Sequence, residues 1–107
     1  MRGSTRERAE LRKYVWDEQK ADTNFGKHGV QFEDAQETVE DPFAIIVFDD
    51  DHSTHEDRYI VIGLAWRLRT LTVGYTEINA HTSRIISARR ANKSEQRIYE
   101  GNLGNQS

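Results

Sequence analysis

Arg84-Ile85-Ile86-Ser87-Ala88-Arg89-Arg90-Ala91, closed by Asn92 and Glu95, joins the end of a strand to the start of a helix. Ile85 and Ile86 carry the strand propensity, and from Ala91 onward the apolar spacing becomes helical. Asn92 and Glu95 stand at capping-box spacing and predict a final helix that carries Ile98 and Tyr99 and ends near Gly101. Three guanidinium groups at such a junction suit bidentate capture of phosphate oxygens. Any one of them could merely pair with a carboxylate across a sheet, an interaction worth little at a surface. A regular strand over Ser83 to Ala88 would put Arg84 on the face opposite Ser87 and Arg89. Arg84 is therefore expected to share a surface with Arg58, with Arg89 and Arg90 at the mouth of the turn.

Working back from that stretch, Leu71, Val73 and Tyr75 alternate within a strand over Leu68 to Thr76, and Ile78 to Thr82 reads as a turn. Arg58 to Leu64 is a further strand, joined to the next through Trp66, Arg67 and Leu68, a connection short enough for an antiparallel hairpin. Ala44 to Phe48 is nearly continuously apolar and is expected to be central or covered on both faces. Asp41-Pro42 ends a helix running from Phe32 to Glu40, whose expected buried face is Phe32, Ala35 and Val39. An earlier helix has Asp17 as its N-cap and Gly29 as its left-handed C-cap, with Ala21 and Phe25 as its apolar stripe. Tyr14-Val15-Trp16 is a short first strand, and Trp16 is placed to staple the helix to the core.

The expected class is α+β: an antiparallel four-stranded sheet built from 44–48, 58–64, 68–76 and 83–88, with two N-terminal helices and one C-terminal helix. A chain of 107 residues makes a single domain, here 14–101, flanked by a flexible N-terminal extension at 1–13 and a flexible tail at 102–107. Cysteine is absent, which excludes a disulfide framework and thiolate metal sites. No apolar run approaches the roughly 20 residues needed to span a bilayer, so no membrane association and a cytoplasmic location are expected.

The net charge of −3 hides a division. Residues 33–57 hold ten Asp or Glu and no Lys or Arg, whereas residues 58–97 hold eight Lys or Arg against Glu77 and Glu95. The first block repels a polyanion and could attract a basic partner; the second attracts a polyanion.

Trp16-Asp17-Glu18-Gln19-Lys20, Asn24, Lys27-His28-Gly29-Val30, Phe32-Glu33-Asp34-Ala35 and Asp41-Pro42 occur in that order. Asp51-His52-Ser53, Glu56, Arg58, Ile62-Gly63, Thr76-Glu77 and the Arg84 to Arg90 run follow. The series resembles the BrnT family of type II toxins over about residues 14–100. The resemblance implies a RelE-like fold, metal-independent endonucleolytic cleavage of RNA that inhibits translation, and no cofactor. It also implies a cognate antitoxin with a ribbon-helix-helix DNA-binding unit, through which alone operator DNA would be engaged.

Metal-free RNA cleavage needs a base for the 2′-hydroxyl, cations for the charged phosphorus centre and an acid for the departing 5′-oxygen. Arg84, Arg89 and Arg90 suit the second task. Glu77, Glu56 and His28 are candidates for the proton transfers, although either carboxylate could instead hold an arginine, and His28 could simply complement a helix end. Arg58, Arg67, Arg90, Lys27 and Lys93 are the expected RNA-contacting cations. Asp49 to Glu56 has four carboxylates and two histidines within eight residues, but no glycine makes the sharp turn of a calcium loop, so it reads as a solvated turn and no metal site is assigned. Trp16 and Trp66 could stack on bases. The competing function is a non-catalytic corepressor or binding module that acts through a DNA-binding partner.

Overall fold

The computed structural model describes residues 12–104 apart from Thr54. Its strands are β1 (Lys13–Val15), β2 (Ile45–Phe48), β3 (Arg58–Ala65), β4 (Arg69–Asn79) and β5 (Thr82–Arg90). The helices α1 (Glu18–His28) and α2 (Phe32–Glu40) lie between β1 and β2, and α3 (Lys93–Gly104) follows β5. One mixed sheet contains all five strands in the order β1-β5-β4-β3-β2. The expected four-stranded antiparallel sheet is thus corrected: Lys13, Tyr14 and Val15 pair in parallel with Thr82, Ser83 and Arg84. A parallel neighbour needs a long crossover, and α1, α2 and the rest of the sheet intervene here between the two strands.

The helix side of the sheet is the core. Val61, Leu71, Val73, Ile85 and Ala88 are buried against Val30, Phe32 and Ala35, and Trp16 meets Phe32 edge-on at 5.9 Å. On α2, Phe32, Asp34, Ala35 and Thr38 are buried. Gly63 permits the closest approach of β3 to this helix, because a Cβ there would lie 2.9 Å from the Thr38 carbonyl oxygen. Caps form as the sequence dictates. Asp17 accepts from the Lys20 amide at 3.1 Å, and Gly29 adopts φ 68°.

The apolar stripe expected on α1 is different in the fold. Phe25 is half exposed, and the residue this helix buries is Asn24. Beyond Arg84, β1 no longer covers the outer edge of β5, and Asn24 takes over as the edge partner. Its Oδ1 accepts from the Ala88 amide at 3.1 Å, and its Nδ2 donates to the Ala88 and Val30 carbonyls at 2.9 and 3.1 Å. A buried amide is retained because it satisfies three backbone groups that would otherwise be left unpaired.

The expectation that 44–48 is central is also corrected. Among the described residues β2 is an edge strand paired only with β3, and Ile46, Val47 and Phe48 are about half exposed. A continuous apolar run reports suitability for a sheet, not its position in one. The turn expected at Ile78 to Thr82 narrows to Ala80 and His81, since β4 continues to Asn79 and β5 begins at Thr82. At the C-terminal end α3 continues past Gly101 to Gly104, and Asn102 Nδ2 donates to the Phe43 carbonyl at 3.1 Å. Residues 102–104 thus belong to the helix, and Arg12 and Lys13 to the folded domain, whereas 1–11 and 105–107 lie outside the described residues. Among the described residues no helix is long and apolar enough to cross a membrane.

Candidate active-site cleft

One irregularity in β5 builds the site. Tyr75 is opposite Ile85 and Gly74 is opposite Ser87, so Ile86 has no counterpart on β4. An extra residue in one strand reverses the side-chain alternation beyond it. Ile85 and Ala88 consequently both face the core, and Arg84, Ser87 and Arg89 share the other face. Their cross-strand partners Thr76, Gly74 and Thr72 alternate on that same face of β4, and Arg58, opposite Thr76, adds a third arginine from β3. The regular-strand expectation that separated Arg84 from Arg89 is overturned by this bulge.

Arg58 and Arg89 line a cleft of about 360 Å³, which is also reached by Ile60, Thr72, Gly74 and Ser87 from the sheet, His28 from α1, and Asp49 and His52 from the β2–β3 connection. Arg84 shares their face of the sheet but lies outside the cleft lining. Gly74 keeps the floor low, since a Cβ there would come within 2.8 Å of Ser87 Oγ. Glu56 lies between two of the cations, with Oε1 3.5 Å from Arg84 Nη1 and Oε2 4.0 Å from Arg58 Nε. Arg58 Nε is shut from solvent and has no hydrogen-bond acceptor among the described residues.

Arg89 is the most firmly held of the three. Its Nη1 and Nη2 meet Glu95 Oε1 and Oε2 at 2.8 and 2.9 Å. Glu95 also accepts from Thr72 Oγ1 and the Asn92 amide, both at 2.9 Å, and Asn92 Oδ1 returns a bond to the Glu95 amide at 2.8 Å. The capping box of α3 therefore doubles as the clamp that orients Arg89. Hydrogen bonding from Arg89, reinforced by Asn92 and Thr72, outweighs burial and holds the Glu95 carboxyl at about 2, below its ordinary 4.5. Its contribution to stability is fully present above the ordinary carboxylate range and is lost as pH falls through about 2. Glu95→Gln keeps the capping box but loses the carboxylate paired with Arg89, and is expected to be about 1 kcal/mol less stable than the wild type at neutral pH. That difference should shrink toward pH 2, as read by urea midpoints at several pH values.

The other expected site residues are dispersed. Glu77 lies on the helix face with Tyr75, beside Arg12, Tyr14 and Ser83, and is separated from Arg84 and Arg89 by the sheet. Burial, then the Glu77 charge, raises the pKa of Tyr75. Arg67 is at the far hairpin, bonded to the buried Asp34 at 3.0 Å. Arg90 alternates away from Arg89 and donates to the Leu68 carbonyl at 3.2 Å. Lys93 opens α3 at the surface, and Trp66 is almost fully exposed on the same distant turn. Lys27 borders a second depression that also touches His28, Ile86 and Ser87, and so adjoins the cleft.

The sequence reading missed the His52–Asp49 pair. Nδ1 of His52 is 2.9 Å from Oδ2 of Asp49, the residue that precedes the 3₁₀ turn Asp50–His52. The available signal was an acidic residue three positions before a histidine, close ahead of Arg58. The roles of Thr72, Gly74, Ser87 and Glu95 were missed too, because each depends on cross-strand register. No group of three or more His, Asp or Glu suited to a metal ion occurs among the described residues.

The profile of the family described as "Ribonuclease toxin, BrnT, of type II toxin-antitoxin system" matches residues 16–95. The chain is also similar to the 1.1 Å crystal structure of the Brucella abortus ribonuclease toxin BrnT. Identity is 28%, the TM-score is 0.59, and the match covers 77% of this chain and 99% of that one. Among curated proteins none matches. The matched span includes β2 to β5 and every residue of the cleft, and the chain belongs to the BrnT family of type II toxin–antitoxin ribonuclease toxins.

Proposed function

We propose that this protein is a metal-independent endoribonuclease toxin that cuts RNA across the face bearing Arg58, Arg84 and Arg89. The observation that carries the reading is the bulge at Ile86, which places all three guanidinium groups on one face beside a cleft that holds imidazoles. Fixed cations aimed where charge develops supply the stabilisation a metal would otherwise give. In the reaction the ribose 2′-oxygen loses its proton to a base and bonds to phosphorus. The bond from phosphorus to the 5′-oxygen breaks, and that oxygen receives a proton from an acid. The products are a 2′,3′-cyclic phosphate and a 5′-hydroxyl. His28 and Glu56 are candidates for the proton transfers, whereas Glu77 is on the wrong face.

Cleavage of messenger RNA would inhibit translation. The partner we propose is an antitoxin with a ribbon-helix-helix unit, which would link the toxin to operator DNA only through the complex. The alternative, a corepressor without catalysis, leaves the gathering of Arg58, Arg84 and Arg89 on one face of the sheet without a purpose.

Ribosome-free RNA incubated with the purified protein in excess chelator should be cut, leaving ends that a cyclic phosphodiesterase opens. The neighbouring gene product should suppress that cleavage. Activity lost in chelator and restored by magnesium, manganese or zinc would defeat the metal-free reading, and RNA left intact under every condition would favour the corepressor.

A further inference from the structure

Within the ribonuclease reading just given, we infer that His52, oriented by Asp49, is a catalytic acid–base residue that works opposite His28 across the cleft. Binding of Nδ1 to the Asp49 carboxylate, at 2.9 Å, leaves Nε2 as the ring nitrogen available to the cleft. A carboxylate on one imidazole nitrogen sets the tautomer and orientation of the ring and stabilises its charged form, which is the arrangement general-base histidines require.

The turn carrying the pair is tied to the arginine beside it. The Asp49 amide donates to the Arg58 carbonyl at 2.8 Å. Ser53 Oγ donates to the Asp49 carbonyl at 2.6 Å and accepts from the Arg58 amide at 2.9 Å. Asp49 is itself mostly buried, with 16% of its side chain exposed. His52 is thus referenced to the backbone of Arg58, one of the proposed phosphate ligands.

Position on the sheet supplies the second half of the argument. His52 stands over the β3 side of the cleft, His28 over the β5 side beside Ile86 and Ser87, and Gly74 of β4 forms the floor between them. Two strand spacings separate those sides by roughly 10 Å. In-line transfer places the attacking 2′-oxygen and the departing 5′-oxygen on opposite sides of phosphorus, so base and acid must stand on opposite walls. Two histidines at the rims, with arginines at the phosphate between them, meet that requirement. One accepts the proton from the 2′-oxygen, and the other gives a proton to the 5′-oxygen.

The charged and titratable groups around His52 come from three directions. Asp49, Asp51, His55 and Glu56 belong to its own connection. Arg58 from β3 and Arg89 from β5 face it from the sheet, and His28 faces it from α1.

Single-turnover cleavage by His52→Gln, His28→Gln and Asp49→Asn should be measured from pH 5 to 9, with binding of 2′-O-methylated RNA measured in parallel. His81→Gln, on the distant β4–β5 turn, is the control. Removal of a positioned acid or base typically lowers the rate by about 10²–10⁴-fold. His52→Gln should fall in that range with unchanged binding and should lose one limb of the bell-shaped profile, and His28→Gln should lose the other. Asp49→Asn should keep both limbs but displace the one belonging to His52, a shift that a merely structural role would not produce. Wild-type rates in His52→Gln, or a rate loss matched by an equal loss of binding, would overturn the assignment while leaving the ribonuclease reading intact. An inactive wild type would overturn both.

Discussion

Arg89→Ala is expected to lower RNA cleavage by about a hundredfold or more, the scale of losing a preorganised transition-state contact. Stability should change by only about 1 kcal/mol, as at other partly exposed positions. The side chain is 42% exposed, and its removal leaves Glu95 still bonded to Thr72 and to the Asn92 amide. Arg84→Ala should act in the same direction with even less effect on folding, because its contact with Glu56 is long, at 3.5 Å, and exposed. Melting curves and cleavage rates on the same preparations separate the outcomes. If both variants fold normally and cut at the wild-type rate, the phosphate-gripping role is refuted. If they unfold the protein, the arginines are structural and the chemistry belongs nearer His28 and Glu56.

The largest effect on stability should come from Asn24→Ala. Truncation would leave the Ala88 amide, the Ala88 carbonyl and the Val30 carbonyl buried and unpaired. Each unsatisfied group costs about 1–3 kcal/mol, so a loss of about 3 kcal/mol or more is expected in denaturant titrations. Ala88 adjoins Arg89, just past the bulge, so cleavage should fall as well, even at temperatures where the variant remains folded. Asn24→Asp keeps the acceptor for the Ala88 amide but places a carboxylate against two carbonyl oxygens. Its loss of stability should therefore grow as pH rises through the carboxylate range. A wild-type unfolding midpoint for Asn24→Ala would show that the edge of β5 is held by something else.

Much of the architecture was legible because it depends on neighbours in sequence. Asp17, Gly29, Pro42 and the Asn92/Glu95 pair act within a turn or two of their own positions, and the helix starts and stops follow from them. Leu71, Val73 and Tyr75 announced a strand with one buried face, and the short Trp66–Leu68 connection announced its pairing with β3. The two places where periodicity misled are instructive. Phe25 is apolar and correctly spaced, yet Asn24 is the buried residue, because a backbone edge needed hydrogen bonds more than the core needed another ring. The run ending at Phe48 is apolar throughout, yet nothing local to it records that no strand pairs beyond it.

Composition and local order were enough to determine an α+β domain, the clustering of cations in its second half, and, through the motif series, its family. The site was decided in three dimensions. A single unpaired residue, Ile86, turned Arg84 onto the face of Arg89 and Arg58, while the alternation of β4 sent Glu77 to the other side. Glu95 became the clamp of an arginine as well as a helix cap, and the exposed turn that carries Asp49 and His52 came to line the cleft. Each of these depends on cross-strand register, which is a relation between segments distant in the chain, and a one-residue change in it moves a side chain through the full thickness of the sheet.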